Sequence, residues 1–104
     1  MAKQPNRVTE NQVAFAIVQI AKTTPNNVVS FARCRKEVPD HLTLSTGDLT
    51  QSTKRPNEAM WEQLIRNIKS HHDVPGNYIH AGYLQHVPKV GYQATKTGMA
   101  RTKP

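Results

Sequence analysis

A break at residues 73–77, with the sequence Asp-Val-Pro-Gly-Asn, separates two parts of the chain that have different hydrophobic periods. Before the break, the apolar residues that recur at the spacing of one helical face are Trp61, Leu64, Ile65 and Ile68. From Tyr78 onward the pattern changes to short stretches typical of β-strands. Because 104 residues are enough for a single modest core, we predict one α+β domain over residues 9–98. A flexible tail at residues 1–8 and a frayed basic tail at 99–104 would flank it.

The first predicted helix follows Thr9, which can form a capping box with Gln12. Its apolar residues recur at helical spacing, but Phe15 and Val18 lie beside that stripe. A helix that is apolar on more than one side is either central to the core or offers a face to another chain. Phe15 and Val18 are therefore the candidate contacts for a homodimer or a partner protein.

Two further helices are predicted before the break. The second runs from Val28 to Val38, although its β-branched start is unfavourable for a helix. A polar connection follows over residues 39–56 and includes one turn of helix at 47–49. The third helix runs from Glu58 to His72 with Asn57 as its N-cap, and it is the clearest element of the sequence.

A β-hairpin is predicted after the break. Its strands are Tyr83–Val87 and Val90–Thr95, and Pro88-Lys89 forms the corner between them. Pro88 cannot donate a backbone hydrogen bond, which suits a hairpin tip better than a central strand. Three helices followed by a hairpin is the element order of a winged helix-turn-helix, with a three-helix core and the hairpin as its wing.

Four stretches of the sequence carry a resemblance to a known family. They are Trp61 with residues 65–71, then residues 76–79, 81–84 and 91–98. Through them the chain resembles the winged-helix domains of Mrr-type restriction systems and related bacterial and phage proteins, over residues 9–98. The shared pattern is a Trp-bearing third helix, a small-Gly-aromatic entry into the wing and a Gly-Tyr-x-x-Thr-x-x-Gly exit. The resemblance implies a small α+β winged helix-turn-helix fold with a C-terminal wing.

The charge of the chain indicates the chemistry of its partner. The net charge is +7, and residues 51–104 carry eight basic and three acidic residues, against six and four in residues 1–50. No acidic residue follows Asp73. This distribution favours an anionic partner, first of all nucleic acid. A basic charge that serves solubility alone is the alternative.

In a winged helix the third helix enters the major groove and the wing contacts the adjacent backbone. This geometry implies a non-catalytic module that binds double-stranded DNA, either as a regulator or as a specificity subunit of a separate effector. Residues before the third helix and in the wing would meet phosphates, and polar residues on the helix would reach base edges. The predicted DNA-binding residues are Ser52, Thr53, Lys54, Arg55, Asn57, Glu58, Gln63, Arg66, Asn67, Lys89, Tyr92 and Lys96.

Several of these residues also have a structural interpretation. Arg66 can pair with Glu62 at i,i+4 spacing, Asn57 can act as a cap only, and Tyr92 can pack within the wing. For the whole chain, the alternative function is a protein-interaction winged helix that docks a partner through the first helix and the wing. A small RNA-binding domain is a third option, disfavoured because the sequence lacks an aromatic platform.

No catalytic motif stands out, so we expect neither enzyme activity nor a cofactor. The single cysteine, Cys34, is expected to be an inert thiol and fits a reducing compartment. Four histidines lie between His71 and His86, but the adjacent His71 and His72 point about 100° apart on a helix, which disfavours a zinc site. The apolar run Val13–Ile20 is far shorter than the roughly 20 residues of a membrane span. We therefore expect a cytoplasmic protein without a metal.

Overall fold

The computed structural model describes residues 7–53 and 57–104 of the chain. The helices in these residues are α1 (Glu10–Ala21), α2 (Phe31–Glu37), α3 (Thr46–Leu49), α4 (Met60–Ser70) and α5 (Lys96–Met99). The strands are β1 (Val28–Ser30), β2 (Leu84–Val87) and β3 (Gly91–Ala94). Short 3-10 turns at Pro25–Asn27 and Val38–Asp40 precede β1 and follow α2. The α+β class is confirmed, and none of the helices in the described ranges is both long and apolar enough to cross a membrane.

Helix α1 forms the centre of the hydrophobic core. The predicted capping box is present, since Gln12 N donates to Thr9 Oγ1 at 3.1 Å and Thr9 N donates to Gln12 Oε1 at 2.8 Å. Seven of its twelve residues are buried, and Val18 is fully inaccessible. Phe15 is partly buried and packs against the core. The prediction that Val18 contacts another chain is therefore wrong, because the domain itself covers this side chain.

The second predicted helix begins three residues too early. Residues 28–30 form β1, which pairs antiparallel with β3 and sets Val29 opposite Tyr92. The β-branched residues at 28 and 29 favour extended backbone, and Val29 is fully buried in this position. Ser30 then caps α2, because its hydroxyl accepts a hydrogen bond from Arg33 N at 3.1 Å.

Helix α4 begins at Met60, two residues later than predicted. Ser52 N donates to Glu58 O, and Met60 N donates to Thr50 O, each at 2.7 Å. These two bonds form a short antiparallel bridge that keeps the chain extended up to the start of the helix. Asn57 is therefore not the N-cap: it is exposed and has a φ of +71°, a left-handed conformation that asparagine tolerates better than most residues.

The apolar stripe of α4 is confirmed. Trp61, Ile65 and Ile68 are buried, and Leu64 packs against the core with part of its surface exposed. The helix ends at Ser70, two residues before the predicted end. Its buried side contacts α1, so α4 lies across the central helix with its polar side turned outward.

The predicted hairpin is confirmed as β2 and β3. Strand β3 is central, because the strand order is β1-β3-β2. At Gly91, where β3 begins, a Cβ atom would lie only 1.8 Å from the main-chain oxygen of Val29 on β1. Only glycine allows the two strands to approach each other this closely.

The segment before α1 is attached to the domain by a buried carboxylate. Val8 N donates to Asp48 Oδ1 at 3.1 Å, so the predicted flexible tail does not extend to residue 8. Asp48 also accepts from Ser45 N at 2.9 Å and belongs to α3, which confirms the helical turn predicted at 47–49. Residues 1–6 of that predicted tail lie outside the described residues.

The basic tail predicted at residues 99–104 packs on the domain instead of fraying. Arg101 Nη1 donates to Tyr83 Oη at 2.9 Å, and its guanidinium lies 4.5 Å from the centroid of the Tyr83 ring. Tyr78 Oη donates to the main-chain oxygen of Pro104 at 3.2 Å. Stacking and hydrogen bonding together hold this end of the chain against the aromatic pair.

Candidate nucleic-acid interface

A surface groove of about 240 Å³ separates α2 from α4. Its apolar lining comes from Phe31 at the start of α2 and Ile65 on α4. Three cations and two carboxylates provide the rest of the lining: Arg35, Arg66, Lys69, Glu58 and Glu62. The groove therefore combines an apolar surface with excess positive charge, and α4 turns its polar side toward it.

Arg66 is held by a carboxylate at the groove, although not by the predicted one. Its Nη2 atom donates to Glu58 Oε2, so the i,i+4 pair with Glu62 does not form. Glu62 instead accepts a hydrogen bond from Ala59 N at 2.7 Å and caps the start of α4. Among the described residues, the buried Arg66 Nε and Glu58 Oε1 atoms have no hydrogen-bond partner.

Tyr92 connects the sheet to α4 and is part of the core. Its hydroxyl donates to Ile65 O at 2.5 Å and accepts from Lys69 N at 3.2 Å, two main-chain groups that lie one turn apart on α4. The side chain is fully buried, and burial raises the pKa of its hydroxyl. The prediction that Tyr92 contacts DNA is wrong, because its hydroxyl points into the domain.

The tip of the hairpin adjoins the groove through Phe31. Phe31 N donates to Val90 O at 2.9 Å, which fixes the tip against the start of α2. The Phe31 ring lies 5.4 Å from the Tyr92 ring and 6.2 Å from that of the exposed His86. Lys89 is exposed at the tip and has a φ of +66°. The structure thus brings Lys89 and the cations of the groove to adjoining surfaces.

The loop before α4 shows a mixed outcome for the predicted phosphate contacts. Ser52 is buried and its hydroxyl donates to Gln63 Oε1, so the predicted phosphate contact of Ser52 is wrong. Gln63 is partly exposed on α4, and its contact with DNA stays a prediction. Thr53 and Asn57 are exposed on the loop. Lys54 and Arg55 lie outside the described residues.

Lys96 lies at the opposite end of the hairpin from Lys89. It is the exposed first residue of α5, which begins where Thr95 N donates to Tyr83 O at 3.1 Å. The length of β3, about 13 Å for four residues, separates the two ends. The groove and the tip therefore form one cationic region, and Lys96 belongs to another.

Sequence reasoning missed Arg35, Lys69 and His86 as members of this surface. Lys69 follows Arg66 by three residues and therefore shares its side of the helix, a signal present in the sequence. Arg35 is exposed on α2, and its position beside α4 depends on how the two helices pack. The proximity of His86 to Phe31 depends on how the hairpin packs, which the sequence does not show.

Removal of the Tyr92 hydroxyl tests how firmly the sheet is attached to α4. We expect Tyr92→Phe to lower the free energy of unfolding by about 1–2 kcal/mol, because the phenylalanine ring keeps the packing but loses both buried hydrogen bonds. Tyr83→Phe is the matched control: the Tyr83 hydroxyl accepts from Arg101 at the partly exposed end of the molecule. Urea denaturation measures both values, and an equal loss in the two variants would contradict the special role of Tyr92.

The histidines and the cysteine were the candidates for metal or thiol chemistry in the sequence. Within residues 7–53 and 57–104, no three His, Cys, Asp or Glu side chains are grouped so that they could hold a metal ion. His71 follows the last residue of α4, and its Nδ1 atom lies 2.7 Å from Glu10 Oε1 at the start of α1. Burial raises the pKa of the Cys34 thiol to about 12, so the group stays protonated and weakly nucleophilic near neutral pH.

Comparisons of the chain with protein-family models, with curated proteins and with solved structures find no match.

Proposed function

We propose that this chain is a winged helix-turn-helix module that binds double-stranded DNA through α4, the start of α2 and the hairpin tip, and that it catalyses no reaction itself. In this proposal α4 lies in the major groove and the β2–β3 hairpin is the wing. The resemblance to winged-helix domains of Mrr-type restriction systems supports a role as a regulator or as a specificity subunit, in the cytoplasm.

The observation that carries the proposal is the position of β1. This strand lies between α1 and α2 in sequence, and the sheet order is β1-β3-β2. Pairing with β1 brings the start of β3, and with it the hairpin tip, to the start of α2. A wing needs this arrangement, because the tip must reach the DNA backbone on the same side as the helix in the groove.

The distribution of charge gives further support. Arg35, Arg66 and Lys69 line the groove beside the outer side of α4, and Lys89 is exposed at the adjoining tip. Asn67 is partly exposed on the same helix and can pair with adenine. An α-helix about 10–12 Å across fits a major groove about 12 Å wide.

The alternative function, docking of a partner protein through α1 and the hairpin, loses its main support. It depended on a second apolar face of α1, but this helix is central and Val18 is fully buried. Phe15 also packs partly against the core. We therefore propose DNA binding alone.

Fluorescence anisotropy with a labelled mixed-sequence duplex tests the proposal. If the four cations of the groove and the tip meet phosphates, the logarithm of affinity should fall against the logarithm of salt concentration with a slope of about −3.6. Between about 50 and 200 mM salt, the affinity would then fall about 150-fold. Single-stranded DNA and an RNA hairpin of the same length are the control probes, and both should bind more weakly than the duplex.

Two results would contradict DNA binding. One is an unchanged anisotropy of the duplex at the lowest salt concentration. The other is a stronger interaction with the RNA hairpin, which would favour the RNA-binding option. A salt-independent interaction with all probes would show that the cations of the groove and the tip are not the contact surface.

A further inference from the structure

The Glu58–Arg66 pair is an unusual feature for a surface that binds phosphates. Arg66 is the only arginine of α4, and Glu58 precedes the helix by two residues. Arg66 Nη2 donates to Glu58 Oε2, and the two side chains keep 36% and 16% of their surface exposed. A carboxylate at this position repels phosphate, so it weakens binding to DNA of arbitrary sequence.

The hydrogen-bonding groups of Glu58 and Arg66 are also incompletely satisfied. Only one hydrogen bond joins the two side chains, and Arg66 Nε and Glu58 Oε1 have no partner among the described residues. Both unpartnered atoms are inaccessible in this arrangement, so a ligand cannot reach them directly. It can reach the pair through the exposed third of the Arg66 side chain, and a single hydrogen bond opposes separation of the two side chains only weakly.

The pair offers N–H donors and a carboxylate acceptor side by side. In the major groove, a G·C base pair presents the O6 and N7 acceptors of guanine next to the N4 amino donor of cytosine. An A·T pair presents the N6 amino donor of adenine where guanine has O6, so this amino group faces one of the two donors of an arginine fork. The G·C pair is therefore the better complement.

We propose that Arg66 and Glu58 together read one G·C base pair in the major groove. Arg66 donates to O6 and N7 of the guanine, and Glu58 accepts from the N4 amino group of the paired cytosine. Glu58 also disfavours DNA that lacks a G·C pair at this position. Its carboxylate would then be repelled by phosphates, or would lose its hydrating water without receiving a hydrogen bond from a base. This inference rests on the proposed function and specifies the DNA that α4 recognises.

Selection of binding sites from a random duplex pool by the wild-type protein is the first experiment. We expect the selected site to contain an invariant G·C pair. Replacement of this pair by A·T should weaken binding between about 5- and 100-fold. Replacement by inosine·cytosine keeps O6, N7 and the N4 amino group, so it should change the affinity by less than about twofold.

Two variants then test whether the preference for G·C over A·T comes from Arg66 and Glu58. Arg66→Lys keeps the charge but lacks the planar fork, so the preference for G·C over A·T should fall to about twofold or less. Glu58→Gln removes one repulsive charge, so its affinity for mixed-sequence duplex should rise several-fold while the preference for G·C falls.

The outcomes separate this inference from the proposed function. A wild-type protein that binds duplex with a steep salt dependence, but selects no G·C pair, overturns the base-reading role and leaves DNA binding intact. The same holds if Arg66→Lys keeps the full preference, or if inosine·cytosine is rejected as strongly as A·T. If the wild-type protein binds no duplex at low salt, both proposals fail.

Discussion

Replacement of Gly91 by alanine is expected to lower the free energy of unfolding by about 3 kcal/mol or more. The new Cβ atom would lie 1.8 Å from Val29 O and 2.8 Å from Ser30 Cα. Both are main-chain atoms, so no side-chain rotation relieves the clash. The strands β1 and β3 would have to separate, and the fully buried Val29 would leave its position in the core.

Gly82→Ala is the matched control for this substitution. Gly82 has a φ of +85°, and a Cβ atom there would meet nothing within 4 Å. The control therefore measures only the strain of a left-handed alanine, about 1 kcal/mol. Urea denaturation followed by circular dichroism gives both values. Equal destabilisation of the two variants would show that β1 and β3 do not approach each other as described.

This dependence on β1 also explains which parts of the fold the sequence could not predict. Residues 28–30 are too few to show a strand period, and they become a strand because β3, more than 60 residues later, pairs with them. Sequence patterns describe local structure, so the continuous helix predicted at residues 28–38 follows from the information available locally. The β-branched Val28 and Val29 were the only local sign against it.

The elements predicted correctly each have a complete local signal. The capping box of Thr9 and Gln12 lies within four residues, and the stripe of α4 repeats over two turns. The start of α4 was displaced by a non-local bond, that between Met60 N and Thr50 O. Helix ends depend on such tertiary contacts more than helix centres do.

The candidate site was predicted in outline but not in its contacts. The sequence places Arg66 and Lys89 on the correct elements, yet it could not show that Glu58, eight residues away and outside the helix, would bind Arg66. The alternation of a strand defines two faces without showing which one is buried. For this reason Tyr92 was assigned to the surface, although its hydroxyl binds α4.

Neutralisation of the groove and the tip should produce the largest loss of DNA binding. We expect the combined variant Arg35→Gln, Lys69→Gln and Lys89→Asn to bind duplex about 500-fold more weakly at about 0.1 M salt. Each lost phosphate contact removes about 0.9 from the salt slope, so the slope should become shallower by about 2.7. Asparagine is chosen at position 89 because Lys89 has a φ of +66°, which asparagine tolerates.

A second triple variant with the same net charge shows whether position matters. The control positions are three exposed lysines that do not line the groove: Lys22, Lys96 and Lys103. Lys96 is included because the sequence analysis predicts that it contacts DNA. If DNA contacts α4 and the hairpin tip, the variant Lys22→Gln, Lys96→Gln and Lys103→Gln should lose less than about tenfold in affinity, since only the long-range field changes. Equal losses in the two triple variants would mean that the positive charge acts diffusely. The surface formed by α2, α4 and the hairpin tip would then have no special role in binding DNA.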